Sequence, residues 1–307
     1  MKRNGRTGEN YIIPDKEEPM KIYFLPTVWS DMAVMESGGK FAVIDTGDGP
    51  YHYKMINDFF ENHGIRKLEF ILLSHFHPDH YGCLKMLVEQ YEVGKVYFKE
   101  YSGVTATDGN GDVATDEYRT AETENCRQLK DFCAQRSTVV PAEETACIAF
   151  NGISVELLYR GNSVRQVFED RNYECSGKYI CNENQNSLMA FFEISGRTVL
   201  LCGDVTDFEL PHPAISMMNT RAAEKIARPI DIYKAPHHGL GIGSDAALSI
   251  YRPRYTVVTN TEHYIVGNTD VPQRLKRFNP DAEIFYTGSS GVAFEITDDG
   301  VISACAI

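Results

Sequence analysis

The sequence predicts an α/β fold, two β-sheets packed together with helices outside, and three observations carry that expectation. Strand-like runs followed by helices occur twice along the chain, an order that suits two stacked sheets covered on their outer faces. The 307 residues are 43 % hydrophobic, enough to furnish a full buried core. No internal repeat at a solenoid period and no low-complexity tract competes with this reading.

Residues 1–20 are polar, contain Pro14 and Pro19, and read as an N-terminal extension to a domain spanning 21–307. Runs at 21–25, 32–35 and 40–44 are strand-like and separated by Pro26 and by Gly38-Gly39, the spacing of a β-meander. Residues 53–63 set Met55, Ile56, Phe59 and Phe60 at helical spacing and end before Gly64, a C-cap residue. A buried strand at 70–73 runs directly into Ser74; residues 84–91 are helical and 95–98 form another strand. From about 101 to 185 the pattern degrades, with loop-like stretches at 109–112 and 182–186 and one helix over 116–134. This reads as a loop-rich insertion that shapes or covers a site. Strands are then expected at 187–194, 198–202, 231–234 and 255–259, with helices at 217–227, 244–249 and 271–278. A closing hairpin is expected from 283–286 and 292–296.

Thirty Lys and Arg against 43 Asp and Glu give a net charge of −13, which opposes a surface that attracts long nucleic acid or an anionic membrane. No run of 18 apolar residues occurs, and the positively charged start has no apolar stretch behind it, so a soluble, cytoplasmic protein without a membrane partner is expected. The eight cysteines form no CxxC pair and read as reduced thiols.

Five of the nine His fall in two short clusters, His75, His77 and His80, then His237 and His238. In His75-Phe76-His77-Pro78-Asp79-His80 a strand end delivers three imidazoles and a carboxylate into one loop, a donor set that suits Zn²⁺ and other first-row metals. His75 and His77 point the same way while the chain is extended, and Pro78 turns it so that Asp79 and His80 can face a second ion. Asp204 follows the apolar run 198–201 and Gly203, which leaves an exposed carboxylate at a buried strand's end or an Asx turn ahead of Phe208.

On these residues the chain resembles the metallo-β-lactamase superfamily, whose HxHxDH signature stands at 75–80. Ile44-Asp45-Thr46-Gly47, Leu201-Cys202-Gly203-Asp204 and Lys234-Ala235-Pro236-His237-His238-Gly239 resemble further pieces of it, in its order. Within the superfamily the chain is similar to the branch of the ComEC competence-protein hydrolase domain, on residues 20–47, Asn186-Ser187-Leu188, His-His-Gly and Tyr286-Thr287-Gly288. The resemblance implies an αββα sandwich of two mixed sheets with outer helices. It also implies a hydrolase using one or two divalent ions, Zn²⁺ or Mn²⁺ ahead of iron. It places His75 and His77 on one ion, Asp79, His80 and His237 on the other, and Asp204 between them. Asp45 is expected to orient a ligating imidazole through its other nitrogen, and Asp31 matches an acidic residue of the ComEC-like opening. His238 is left as an orienter, a phosphate contact or a ligand. The first ion's usual third His is missing; its window holds Asn184, Asn186 and Ser187, so Asn186 is expected as a weaker ligand.

The implied mechanism is attack by a metal-bound hydroxide whose direction Asp79 and Asp204 fix, with a leaving-group proton from His238, His263 or metal-bound water. A small or nucleotide-like phosphodiester is the first-choice substrate, since the charge disfavours long nucleic acid. A carboxylic ester, lactone or thioester is the alternative within enzymes, and a non-catalytic metal- or ligand-binding homologue the alternative outside them.

Overall fold

Alternating side chains along the strands dictate the architecture, because successive residues point to opposite faces of a sheet. In the computed structural model, which describes residues 19–108, 112–170, 182–210 and 212–307, the strands form two mixed sheets. The chain enters through β1 (Met20–Phe24), β2 (Ala33–Ser37) and β3 (Lys40–Ile44), an antiparallel meander. It continues in parallel through β4 (Lys67–Leu72), β5 (Glu92–Phe98) and β6 (Thr138–Pro141). The second sheet holds β7 (Cys147–Phe150), β8 (Ile153–Leu158), β9 (Met189–Ile194), β10 (Arg197–Leu201), β11 (Ile232–Lys234), β12 (Tyr255–Val258) and β13 (Glu283–Tyr286) in consecutive order, parallel from β10 onward. The chain then returns to the first sheet as β14 (Val292–Ile296) beside β1 and β15 (Ile302–Ala306) at the edge.

Ile22 and Phe24 of β1, Phe70 and Leu72 of β4, and Val199 and Leu201 of β10 share the core between the sheets. Tyr23, Ile71 and Leu73 face the other way, into a layer with α1 (Gly49–Asn62), α3 (Leu84–Gln90) and α4 (Asp116–Ala134). Leu200 and Cys202 face α6 (Met218–Ile226), α7 (Asp245–Tyr251) and α9 (Val271–Phe278) on the far side. The result is the expected αββα sandwich. Three short helices complete it: α2 (Pro78–Tyr81), α5 (Ser163–Glu169) and α8 (Glu262–Asn268).

Two expectations are corrected. The stretch 101–185 is more regular than a loop-rich insertion, since α4, α5 and three strands, β6, β7 and β8, come from it and extend both sheets. These strands are short, four to six residues each, which is why their pattern is faint. Residues 283–286 and 292–296 do not pair as a hairpin either. β13 hydrogen-bonds to β12 and β14 to β1, so the link between them crosses from one sheet to the other. The extension at 1–18 and the loop residues 109–111 lie outside the described residues, as do Cys175 and Cys181. The other six cysteines are free thiols. Among the described residues no helix is long and apolar enough to cross a membrane.

Candidate metal centre

The polar cluster forms where six strands end on one edge of the sandwich. β1 and β3 lead to Asp31 and Asp45, β4 to residues 74–80, β10 to Asp204, β11 to His237 and His238, and β12 to Thr259. Carboxyl ends of parallel strands are the usual place for a site in such sheets. The HxHxDH turn is pinned by its neighbours. Thr46 donates its backbone N–H and its hydroxyl to the carbonyl of His80, at 2.7 and 2.9 Å. The Ser30 hydroxyl and the Asp31 N–H donate to the carbonyl of Asp79, at 2.9 and 3.2 Å. Gly203, at φ 52°, lets the end of β10 approach that of β4; a Cβ there would lie 2.9 Å from Ser74 Cβ.

Two imidazoles are each backed by a carboxylate. His80 Nδ1 lies 2.9 Å from Asp45 Oδ2, and His238 Nδ1 lies 3.0 Å from Asp31 Oδ1. Their Nε2 atoms turn to a shared space. His80 Nε2 is 3.4 Å from Asp79 Oδ2 and 3.3 Å from Asp204 Oδ1, while His238 Nε2 is 2.9 Å from Asp79 Oδ2 and 3.5 Å from Asp204 Oδ2. Asp31 is itself held by the Lys234 ammonium and by the Thr259 hydroxyl at 2.6 Å. Asp31, His80, Asp204 and His238 are all buried and bring ligand atoms within 4.8 Å of one another.

The remaining imidazoles sit beside this group with weaker support. His75 Nε2 faces His77 Nδ1 at 3.0 Å and lies 4.0 Å from Asp204 Oδ2; its Nδ1 is 3.1 Å from the Ser74 hydroxyl, which donates to Asp45. His237 Nε2 is 3.2 Å from Asn184 Nδ2. His237 and His238 occupy left-handed backbone, at φ 50° and 52°, ahead of Gly239 at 81°. Residues other than glycine hold that conformation only where their surroundings impose it.

The two groups carry opposite charge states. Burial works against charge on His80, but Asp204, Asp79 and Asp45 outweigh it and hold its imidazolium well above the ordinary range. At His238 burial is likewise outweighed, by Asp204 and Asp31, and the ring is raised to about 9. Burial would raise Asp79 and Asp204, and the facing imidazoles instead lower both well below the usual carboxylate range. On the other side burial leads and wins: His75 falls well below its ordinary value, and His77 and His237 are lowered too. Protons on His80 and His238 thus stand where a cation would balance the acids, and the other three rings offer lone pairs.

A divalent ion fits these residues. With neutral imidazoles, the four carboxylates of Asp31, Asp45, Asp79 and Asp204 face a single buried ammonium, Lys234, leaving three negative charges in a water-poor place. His80 Nε2 and Asp204 Oδ1 are both buried without a hydrogen-bond partner, although 3.3 Å apart. Orphaned donor atoms of this kind are what a coordinated ion satisfies.

The structure thus brings together His75, His77, Asp79, His80, Asp204, Asp45, Asp31 and His238. It is His238, whose ring enters the space between Asp79 and Asp204, that stands where His237 was expected, while His237 turns to Asn184. Asn186 donates its amide to Glu183 Oε1 at 2.9 Å and to the Glu100 carbonyl at 3.2 Å, and its Oδ1 is buried without a partner. His263 is exposed on α8 and makes none of the hydrogen bonds of the cluster. Ser74, Lys234 and Thr259 were not singled out from sequence, and Asn184 was named only within the window of the missing His. Their only signal was adjacency to the motifs.

Residues 30–159, which include the HxHxDH turn, match the family model described as the metallo-beta-lactamase superfamily. No curated protein matches the sequence. Among solved structures, a variant of the CmlA β-hydroxylase is similar at 12 % identity and a TM-score of 0.50, over 96 % of this chain and 55 % of that one. The metallo-β-lactamase fold protein YhfI from Bacillus subtilis is 10 % identical with a TM-score of 0.49, over 94 % of this chain and all of its own. A diphosphatase from the PhnP family is 12 % identical with a TM-score of 0.43, over 94 % and 98 %. At such identities the likeness is one of fold, and a fold hosts many reactions.

Proposed function

We propose that this chain is a member of the metallo-β-lactamase superfamily and a metal-dependent hydrolase of a small, nucleotide-like phosphodiester. The observation that carries the reading is the convergence of His80 and His238 Nε2 on the carboxylates of Asp79 and Asp204. His80, His238, Asp79 and Asp204 would hold one ion, and His75, His77 and His237, with an Asn184 or Asn186 amide and shared Asp204, the other. Bound there, Zn²⁺ or Mn²⁺ would supply Lewis-acid polarisation of a phosphoryl oxygen and a water acidic enough to ionise near neutral pH.

The protein's own groups prepare that chemistry. Asp45 and Asp31 accept from the Nδ1–H of His80 and His238, which fixes the tautomer and leaves each Nε2 lone pair aimed inward. Lys234 Nζ, 4.0 Å from Asp204 Oδ1, offsets part of the negative charge without entering the cleft. Asp79 is the half-buried member of the four acids, so its carboxylate meets arriving substrate. Two divalent ions would offset the three negative charges, so a phosphate oxygen could approach a place that the bare carboxylates would repel. The ComEC-like pieces at 186–188, 237–239 and 286–288 support the same choice, and free thiols suit a reducing compartment such as the cytoplasm.

The test is hydrolysis of a chromogenic phosphodiester by metal-stripped protein reloaded with Mn²⁺ or Zn²⁺, beside Asp79→Ala and a carboxylic ester. Diester turnover that vanishes in the variant is the expected result. Turnover of the ester alone would replace the substrate class, and metal binding without either turnover would replace the enzyme by a binding protein.

A further inference from the structure

An aromatic pair carried by two of the loops that form the metal centre takes no part in the chemistry above. Trp29, the only Trp of the chain, lies in the loop after β1 at φ 57°. Left-handed backbone is an outlier for so bulky a residue and persists only where its surroundings fix it. Its N–H donates to the Thr259 carbonyl at 3.1 Å, and its indole meets the Tyr264 ring edge-on, centroids 4.6 Å apart. Both residues remain open to solvent, at 37 % and 36 %.

The pair is built from the same two loops as the centre. Ser30, the next residue, holds the Asp79 carbonyl, and Asp31 holds His238. On the other loop the Thr259 hydroxyl lies 3.1 Å from His238 Nδ1, and the chain enters α8, which carries Tyr264. Glycine or Asn would adopt φ 57° at less cost, so the indole itself gives the position its use. An edge-to-face pair offers a π surface on which a flat ring stacks, whereas an alkyl chain would gain only from area. A phosphate-binding centre and a π surface carried by the same two loops match a ligand with a phosphate at one end and a planar ring at the other.

Resting on the hydrolase reading, we propose that Trp29 and Tyr264 form a subsite for the nucleobase of a nucleotide substrate. The ring stacks on the aromatic pair while the phosphate reaches the cluster of Asp79, His80, Asp204 and His238.

Because Trp29 is the only Trp, its selectively excited fluorescence reports this subsite without turnover. With Zn²⁺-loaded protein, adenosine monophosphate should quench it saturably and bind about tenfold tighter than ribose 5-phosphate, the same phosphate without a base. Tyr264→Ala should weaken adenosine monophosphate about tenfold and ribose 5-phosphate less than twofold. Trp29→Gly, which suits the left-handed backbone, should lose the same selectivity when the two compounds compete as inhibitors of diester turnover. Equal binding of the two compounds, or equal weakening of both by Tyr264→Ala, would overturn the subsite. Diester turnover without quenching would remove the subsite and leave the hydrolase; quenching without turnover of any diester would do the reverse.

Discussion

His80 and His238 rest their far nitrogens on buried carboxylates, Asp45 and Asp31, whereas His75 rests on a hydroxyl and His237 touches an amide. The five rings lie within one cluster, yet the first two gain protons in the metal-free protein and the other three lose them. A carboxylate behind an imidazole raises its basicity and fixes its tautomer, and a hydroxyl or amide does so less. The comparison teaches that two halves of one centre, similar in ring count, need not hold an ion equally: the carboxylate-backed half should fill first.

The largest effect should follow removal of a carboxylate or ring from the tight half. Asp79→Ala or His80→Ala should reduce diester turnover to background while circular dichroism and the thermal midpoint stay near those of the parent. Full activity in Asp79→Ala would mean that the centre lies elsewhere. Next come the backing acids. Asp45→Asn and Asp31→Asn should each weaken the ion held by His80 and His238 by about 10- to 100-fold, and Ser74→Ala should weaken the ion held by His75 and His77 by less, read by competition with a chromogenic chelator. If Ser74→Ala proved as damaging as Asp31→Asn, the asymmetry would not exist.

A smaller loss is expected at the amides. Asn186→Ala should weaken metal retention only modestly, because an amide oxygen is a poorer ligand than an imidazole. Asn184→Ala, which strips a contact from His237, should lower the occupancy of the ion held by His75 and His77 more than Asn186→Ala does, measured as bound metal per chain after dialysis. A separate effect concerns stability and leaves the metal sites aside. Burial raises Glu183 from 4.5 to about 7, so the folded state holds its proton where the unfolded chain has released it. Stability should therefore fall as pH rises from about 4.5 and level off above about 7, a loss of roughly 3 kcal/mol at most. Glu183→Gln should raise the thermal midpoint at pH 8 and leave it unchanged at pH 4.5; a variant equally shifted at both would point to packing instead.

The centre was legible in the sequence to the extent that its residues are contiguous. His75, His77, Asp79 and His80 stand in one turn, and the strand ends before Asp45 and Asp204 are marked by apolar runs closed with Thr-Gly or preceded by Gly. The choice between His237 and His238 was not legible, because it turns on consecutive left-handed residues that rotate each ring by more than a helix or strand would. Nor were Lys234 and Thr259, whose contacts with Asp31 span about 200 positions of chain. The layered fold was legible from the order of elements. The hairpin of residues 283–296 misled because β14 pairs with a strand from the opposite end of the sequence, and local pattern carries no sign of such a partner.

The hydrogen bonds from Thr46, Ser30 and Asp31 to the carbonyls of His80 and Asp79 concern time as much as shape. Each clamp is made by the chain alone, so the turn is already set when an ion arrives from solution. Capture by the metal-stripped protein should then be limited by the ion shedding its own water, with no slow rearrangement of the loop behind it.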